Sequence, residues 1–491
     1  MKSLLEDLKK NISGDVIPFD NDQISYETDE SIFKISPQVI VCPKNNQDVQ
    51  NVIEIATQHS VPITARGGGS GIAGQSIGSG IILDFSKHMN RILNISEKEV
   101  VVEPGVILNT LNNELSKTKK MFAPDPGSKN YCTIGGMIAN NAAGPHALIY
   151  GSTRDHVNTM QIALSDGQVY ETHDLPEQYA SLIEEVRKNE SLIKRSKRNV
   201  EKNSSGYHVE SLLGSKPDFT KLLVGSEGTL GLVVEATLAL TALPEKTYFG
   251  VFGFPNMQKA VGEVANLRET KASCIELLDE NILQLMNKVN PSLILELKLQ
   301  SAKSALWVEW NHAPSADIQK QTLFFTDGIP TIQKIWAERS LVSKNLHKEA
   351  EKQHRKPLRC IEDACVPISA LMEYTNALTQ VLRKHDAEGA IFGHIGSGHL
   401  HVNPNIRTDI SKLQERIELL MDEFYDLVLK MGGTISGEHG DGLLRIKYAK
   451  KQWKDLWPLF ETIKHRFDPH GIFNPDKKVL YQADMHWPKL K

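Results

Sequence analysis

Cysteine is scarce in this chain of 491 residues: Cys42, Cys132, Cys274, Cys360 and Cys365 are scattered, with no Cys-x-x-Cys among them. That spacing argues against a disulfide framework and against a cysteine-ligated iron–sulfur cluster within the chain. A basic field is missing as well. Lys and Arg number 56 against 60 Asp and Glu, a net charge of -4, so nucleic acid is not expected as a main partner. No long uncharged apolar run occurs. The most apolar stretch, 222–243, is interrupted by Glu227, Glu235 and several glycines and reads as buried strands and turns, not as a membrane span. Met1-Lys2-Ser3-Leu4-Leu5-Glu6-Asp7 reaches acidic residues too early for a secretory h-region. These absences lead to the expectation of a reduced, cytoplasmic protein of two or three domains. Peripheral contact with the inner face of a membrane and a homodimer stay open.

Along the chain, Gln38–Pro43 reads as a strand, Asn46–Gln58 as an amphipathic helix and Val61–Ala65 as a second strand, a β-α-β opening. Strand-like runs follow at 80–85, 100–103, 160–164 and 222–224. The Lys- and Arg-rich stretch Arg187–Lys202 is expected to be a solvated loop. Leu243-Pro244-Glu245 marks a boundary, dividing the chain into 1–243, 244–480 and a tail at 481–491. Beyond it come strands at 249–254, 305–310 and 390–392, and helices at 257–271, 336–356, 369–384 and 412–430. The last of these helices is stopped by Gly432-Gly433.

Four glycine-rich segments stand in order in the first half. Arg66-Gly67-Gly68-Gly69-Ser70-Gly71, with Gly74, follows a strand directly, and consecutive glycines let N–H groups converge on an anion. The Rossmann spacing and the P-loop lysine are both missing there. Pro124–Ser128, Thr133–Gly144 and Gly225–Gly231 follow. Small residues in this density let an extended ligand pass close to the main chain. Taken together, the four segments point to a large phosphate-bearing ligand.

The second half carries Gly393-His394-Ile395-Gly396-Ser397-Gly398-His399-Leu400-His401-Val402-Asn403, then Gly437-Glu438-His439-Gly440-Asp441-Gly442. Imidazoles and a carboxylate on glycine-rich turns supply the nitrogen and oxygen ligands a divalent transition metal prefers. The motif alone leaves open whether such a metal hydrolyses, oxidises or holds structure.

The ordered glycine segments resemble the FAD-binding domain of the vanillyl-alcohol-oxidase type. The two histidine-bearing segments, with Phe467-Asp468-Pro469 to Phe473-Asn474-Pro475, resemble the C-terminal domain of FAD-linked D-2-hydroxyacid dehydrogenases, the D-lactate dehydrogenase group. The resemblance runs from about Pro37 to Pro475. It implies an α+β architecture, a two-subdomain FAD-binding domain followed by a substrate domain of antiparallel sheet plus helices. It also implies that Arg66, Gly67, Gly68, Gly69, Ser70 and Gly74 wrap the FAD pyrophosphate. Pro126, Ser128, Thr133, Gly135, Gly136, Asn140 and Gly144 would lie along the cofactor, with Glu227, Gly228, Gly231 and Val233 on its adenosine side. No histidine stands in the first glycine loop, so FAD is expected to bind non-covalently.

By the same resemblance His394, His401 and Glu438 hold a divalent ion, zinc or manganese, and His439 is the general base, with an imidazole near its ordinary pKa of about 6.5. Asn403 contacts substrate and Arg339 clamps its carboxylate, with Arg445 as a second cation for that group; exposure to solvent is the alternative for both arginines. His399 replaces a commoner asparagine and is either an extra ligand or a packed neighbour. Ile361 stands where some relatives have a basic substrate contact. The implied reaction oxidises a small D-2-hydroxy acid to the 2-oxo acid. Its electrons then leave FAD for a separate acceptor: an iron–sulfur protein, an electron-transfer flavoprotein, a cytochrome or a quinone. A flavin-independent metal hydrolase and a non-catalytic flavoprotein or assembly subunit are the competing readings.

Overall fold

The computed structural model of the protein describes residues 2–351, 355–407, 412–479 and 487–491. Its first half holds two sheets. One has the strand order Asp15–Pro18, Val39–Cys42, Ile81–Asp84, Ile63–Arg66, the last three parallel. Parallel pairing needs a crossover, which helix Asn46–His59 provides. The Asn45 side chain caps that helix by accepting from the Asp48 N–H, and Val49, Val52, Ile53 and Ala56 are buried. Ser60, in the left-handed region, ends it. The other sheet is antiparallel, ordered Val169–Glu171, Val157–Ala163, Leu232–Ala239, Glu99–Val102, Ile92–Ile95. Burial alternates along Leu232–Ala239, as one core-facing side requires.

The second half is built on a seven-stranded antiparallel sheet. Its order is Phe324–Thr326, Tyr248–Phe254, Ser304–Trp310, Cys274–Leu278, Ala390–Gly393, His399–Asn403, Ala364–Cys365. Glu276 and Glu309 are buried on its two neighbouring central strands. Carboxylates survive there only with partners. Helix Ile329–Glu351 brings Trp336 against Trp307, rings 6.1 Å apart, and places Arg339 beside Glu276. The two halves are interlocked. The Ile63 N–H donates to the Ile472 carbonyl and the Asn474 N–H to the Ile63 carbonyl, so the Phe473 segment extends the first sheet.

Three expectations are corrected. Leu222–Val224 is not a strand: Asp218 caps a short helix, Phe219–Leu223, and three apolar residues fill a helical turn as readily as a strand. Arg187–Lys202 is not a solvated loop. Helices Ala180–Lys188 and Glu190–Ser196 bury Leu182, Val186 and Ile193 while their charges pair on the outer face, and Lys202 is buried. The helix expected at 336–356 starts at Ile329, which puts Arg339 in its middle; Arg355–Pro357 is a strand, and 352–354 lie outside the described residues. Of the expected tail, 481–486 lie outside the described residues, and Lys489–Leu490 pair with Phe33–Lys34.

Candidate functional site

The four glycine segments assemble around one short helix, Ile134–Asn140, capped by the Thr133 hydroxyl, which accepts from the Gly136 N–H. The helix buries Ile134, Met137 and Ile138 and leaves Gly135, Gly136, Ala139 and Asn140 partly open. Gly67 and Gly68 rest on the residues before it. A Cβ on either would come within 2.0 Å of Thr133 Oγ1 or the Tyr131 carbonyl. At the helix's other end the Gly225 and Glu227 N–H groups donate to the Ile138 and Ala139 carbonyls. Gly144 stands against the Asp125 backbone, and Pro126 and Ser128 accept from the Lys129 and Tyr131 N–H groups in the turn alongside. Gly231 fits against Ile162, while Gly228 and Val233 stay partly open. The result is a groove floored by main chain and small side chains, with the Gly69–Gly74 loop at its edge, which suits an extended phosphate-bearing cofactor.

Two residues expected to face that cofactor have other work. The Arg66 guanidinium donates to the Ser25, Thr28 and Ser76 carbonyls and so ties the start and the far side of the glycine loop to the 25–28 segment. Glu227 turns its carboxylate to the second half, accepting from the Asp441 and Gly442 N–H groups at 2.7 and 2.8 Å. The glycine turn carrying Glu438 and His439 is thereby tied to the groove.

In the second half His399, His401 and Asn403 alternate along one strand, so their side chains share a face. Three atoms converge. His394 Nε2 lies 3.2 Å from Glu438 Oε1 and 3.3 Å from His401 Nε2, and His401 Nε2 lies 3.5 Å from the same oxygen. Tetrahedral ligands of a zinc-sized ion stand about 3.4 Å apart. The backs of both rings are fixed. His394 Nδ1 is bonded to Glu276, and His401 Nδ1 donates to the Glu362 carbonyl at 3.0 Å. In these tautomers the two Nε2 lone pairs and a carboxylate oxygen face one another, a clash that a divalent cation relieves. The residues present therefore fit a metal. Glu438 is held well below the usual carboxylate range because Lys202 and the histidines outweigh burial, and Glu276 falls to about 2 because His394 and Arg339 do the same.

His399 stands behind this triad. Its Nε2 meets Asp363 Oδ1 at 2.9 Å, its Nδ1 faces the far oxygen of Glu438 at 3.9 Å, and burial pulls its pKa down to about 4. Its ring nitrogen nevertheless lies within 4.8 Å of the ligand atoms of His394, His401 and Glu438, so the four form one cluster. His439 points Nε2 toward Glu438 Oε1 at 3.7 Å and Nδ1 toward Glu362 Oε1 at 3.0 Å and Asp363 Oδ1 at 3.2 Å. Burial lowers its pKa, but those two carboxylates outweigh it and lift the ring to about 9. That stands above the 6.5 expected, and a dication held by His394, His401 and Glu438 would oppose the ring's charge and bring the value back down.

The arginines separate. Arg339 is paired with Glu276 and lies over the rings of Trp336 and Phe392, at 5.8 and 5.6 Å, with 17% of its side chain exposed. Arg445 is wholly buried, donating to Glu362 Oε1 at 2.5 Å, the Gly440 carbonyl at 2.8 Å and Tyr425 Oη at 3.2 Å. It is neither solvated nor presented to a substrate. Its guanidinium braces Glu362, which in turn holds His439.

The sequence reading missed Lys202, Glu276, Glu309 and His146, and it noted Glu362 only as part of a motif, without a role. His146, two residues past the third glycine segment, bridges Asp125 at 2.6 Å and Glu309 at 2.7 Å. Glu276 and Glu309 had a readable signal, since each is a lone charge inside an apolar strand.

Residues 37–173 match the family model described as FAD binding domain, and residues 243–478 match that of FAD linked oxidases, C-terminal domain. The chain belongs to this FAD-linked oxidase family. It is 29% identical to a D-2-hydroxyglutarate dehydrogenase of Escherichia coli (strain K12) across 97% of this chain and 51% of the relative. The chain thus spans about half the length of the D-2-hydroxyglutarate dehydrogenases it matches. Glycolate oxidase subunit GlcD of Bacillus subtilis (strain 168) is 29% identical, with 92% of this chain and 91% of the relative covered. A D-lactate dehydrogenase of Archaeoglobus fulgidus is 28% identical over 93% and 95%. Among solved structures, alkyldihydroxyacetonephosphate synthase shares the fold at TM-score 0.68 and 18% identity, covering 97% of this chain and 85% of that one. 4-Ethylphenol oxidase from Gulosibacter chungangensis does so at 0.68 and 16%, covering 99% and 97%. The expected α+β fold is borne out. Among the described residues no helix is long and apolar enough to cross a membrane.

Proposed function

We propose that the protein oxidises a D-2-hydroxy acid of the D-lactate type to the 2-oxo acid, with His439 as base and His394, His401 and Glu438 as ligands of a zinc- or manganese-like ion. The observation that carries this reading is the convergence of His394 Nε2, His401 Nε2 and Glu438 Oε1 within 3.5 Å of one another, with His439 Nε2 beside them. Bound FAD would supply the hydride acceptor, and the ion would supply charge against a developing alkoxide.

The chain's own residues do the rest. Glu362 fixes the His439 ring with Nδ1 inward, so Nε2 is the atom that takes the hydroxyl proton. Arg339, with one end on Glu276 and its guanidinium 5.8 and 5.6 Å from the Trp336 and Phe392 rings, holds the substrate carboxylate in a two-point grip that fixes one face of the α-carbon. Asn403, on the same strand face as His401, is the further substrate contact. FAD is held non-covalently in the groove, and electrons leave it for a separate acceptor. The relatives named for D-lactate and D-2-hydroxyglutarate oxidation support this substrate class. A metal hydrolase on the same triad would leave the FAD-binding half without a purpose.

An anaerobic visible spectrum of the metal-replete protein, taken before and after a panel of D- and L-2-hydroxy acids, tests the reading. Bleaching of the flavin by a D-acid is expected. A flavin unmoved by every acid of the panel would overturn the proposed reaction. Chelation should abolish bleaching reversibly without releasing FAD, and full turnover in metal-free protein would remove the ion from the chemistry.

A further inference from the structure

Lys202 lies outside every motif that points to function, yet it is buried against the proposed metal ligand Glu438. An ammonium group has three N–H donors, and here they meet three acceptors. Glu438 Oε2 is at 2.8 Å, the Gly144 carbonyl at 2.9 Å and His399 Nδ1 at 3.5 Å. His399 can accept there because its Nε2 is engaged by Asp363. Gly144 belongs to the third glycine segment, beside the groove, so this cation joins the first half of the chain to a ligand of the second. The Glu438 carboxylate is divided as a result. One oxygen faces His394 and His401, and the other is held by Lys202.

A carboxylate 5% exposed needs a positive partner whether or not a metal is present. We propose that Lys202 is a resident counter-ion of the metal site, a positioning residue that neutralises and orients Glu438 when no ion is bound and thereby keeps the metal exchangeable. This rests on the reading of His394, His401 and Glu438 as ligands. Its sign is distinctive. An ordinary partner that only orients a ligand weakens metal binding when removed, by about 10- to 100-fold. A counter-ion does the opposite: its own charge opposes the incoming dication, and its removal destabilises the empty site more than the filled one.

The test is Mn²⁺ affinity by competition with a fluorescent chelator, together with the thermal midpoint of the FAD-loaded protein with and without Mn²⁺. Lys202→Met should bind Mn²⁺ at least about tenfold more tightly than wild type and show a larger Mn²⁺-induced rise in midpoint, whereas Lys202→Arg should stay near wild type. A variant that folds only in the presence of Mn²⁺ is the same result in stronger form. Equal or weaker Mn²⁺ binding in Lys202→Met overturns the inference. If Lys202→Met does not fold even with metal, the Lys202→Met/Glu438→Gln pair decides. A folded double variant supports the counter-ion role, because removing both charges removes the need for either; an unfolded one refutes it. A wild type that binds no Mn²⁺ and no Zn²⁺ would instead refute the ligand assignment itself.

Discussion

Replacing Glu362 by glutamine (Glu362→Gln) keeps the shape of the side chain that faces His439 and removes its charge. The carboxylate lies 3.0 Å from His439 Nδ1. When His439 accepts a proton the ring becomes a cation, and a unit charge about 4 Å away at an effective dielectric near 20 steadies it by about 4 kcal/mol. If about half of that charge has developed at the transition state, about 2 kcal/mol is lost, roughly thirtyfold in rate; full development gives about 10³. Asp363 Oδ1, 3.2 Å from the same His439 nitrogen, keeps its charge and so moderates the loss without replacing Glu362. The Asp363 oxygens already accept from His399 Nε2, the Ser436 hydroxyl and the Glu438 and His439 N–H groups. The expected outcome is a kcat lowered by about 30- to 1,000-fold with KM little changed, since Glu362 sits behind the base. Arg445 loses its nearer charged partner and keeps Asp363 at 4.0 Å and the Gly440 and Tyr425 bonds, so some stability, about 2 kcal/mol, goes as well. Anaerobic stopped-flow bleaching of the flavin by D-lactate, or by whichever D-acid the panel selects, measures the rate; flavin content and thermal midpoint separate it from unfolding. A folded, flavin-loaded Glu362→Gln protein with kcat within about threefold of wild type would refute the orienting role.

Arg339→Lys should raise KM for the hydroxy acid by about 10- to 100-fold, because an ammonium keeps the charge but not the planar two-point grip; an unchanged KM places the carboxylate elsewhere. His146 is lifted well above its ordinary value, because Asp125 and Glu309 outweigh the effect of burial. A raised folded-state value contributes stability that is complete below about pH 6.5 and is lost as the pH rises through that raised value. Denaturation measured from pH 6 to 10 should therefore show an alkaline loss that His146→Gln flattens, and an identical slope in both proteins would dismiss the bridge. Gly68→Ala places a Cβ 2.0 Å from the Tyr131 carbonyl, so the purified protein should carry less FAD, whereas Gly127→Ala, with nothing within 4 Å, should retain it. The ratio of flavin to protein absorbance distinguishes them, and equal ratios would contradict the groove as built.

What was legible in the sequence was local. The Asn46–His59 helix, the strands on either side of it and the Gly432 stop follow from periodicity, caps and a positive φ, all set within a few residues. The glycine loops and the His394–Asn403 turn were visible because backbone conformation restricts residue type. The partners of buried charges were not. Lys202 reaches Glu438 across 236 residues, Glu276 reaches His394 across 118, and Arg445 reaches Glu362 across 83. Desolvation dictates that each such charge has a partner and leaves its identity to the fold. Lys202 was hidden further by the surface lysines and arginines just before it, whose i,i+3 and i,i+4 pairing is a helix-surface property that says nothing about the last cation of the run. Glu276 and Glu309 were better marked. Each interrupts a strand whose neighbours are all buried, so each had to meet a cation or a donor in the interior, and both do so where the two halves and the His/Glu cluster meet. A lone carboxylate in a core strand is therefore a stronger pointer to this site than the basic run was to a partner, because burial removes the solvent alternative for the first and leaves it for most of the second.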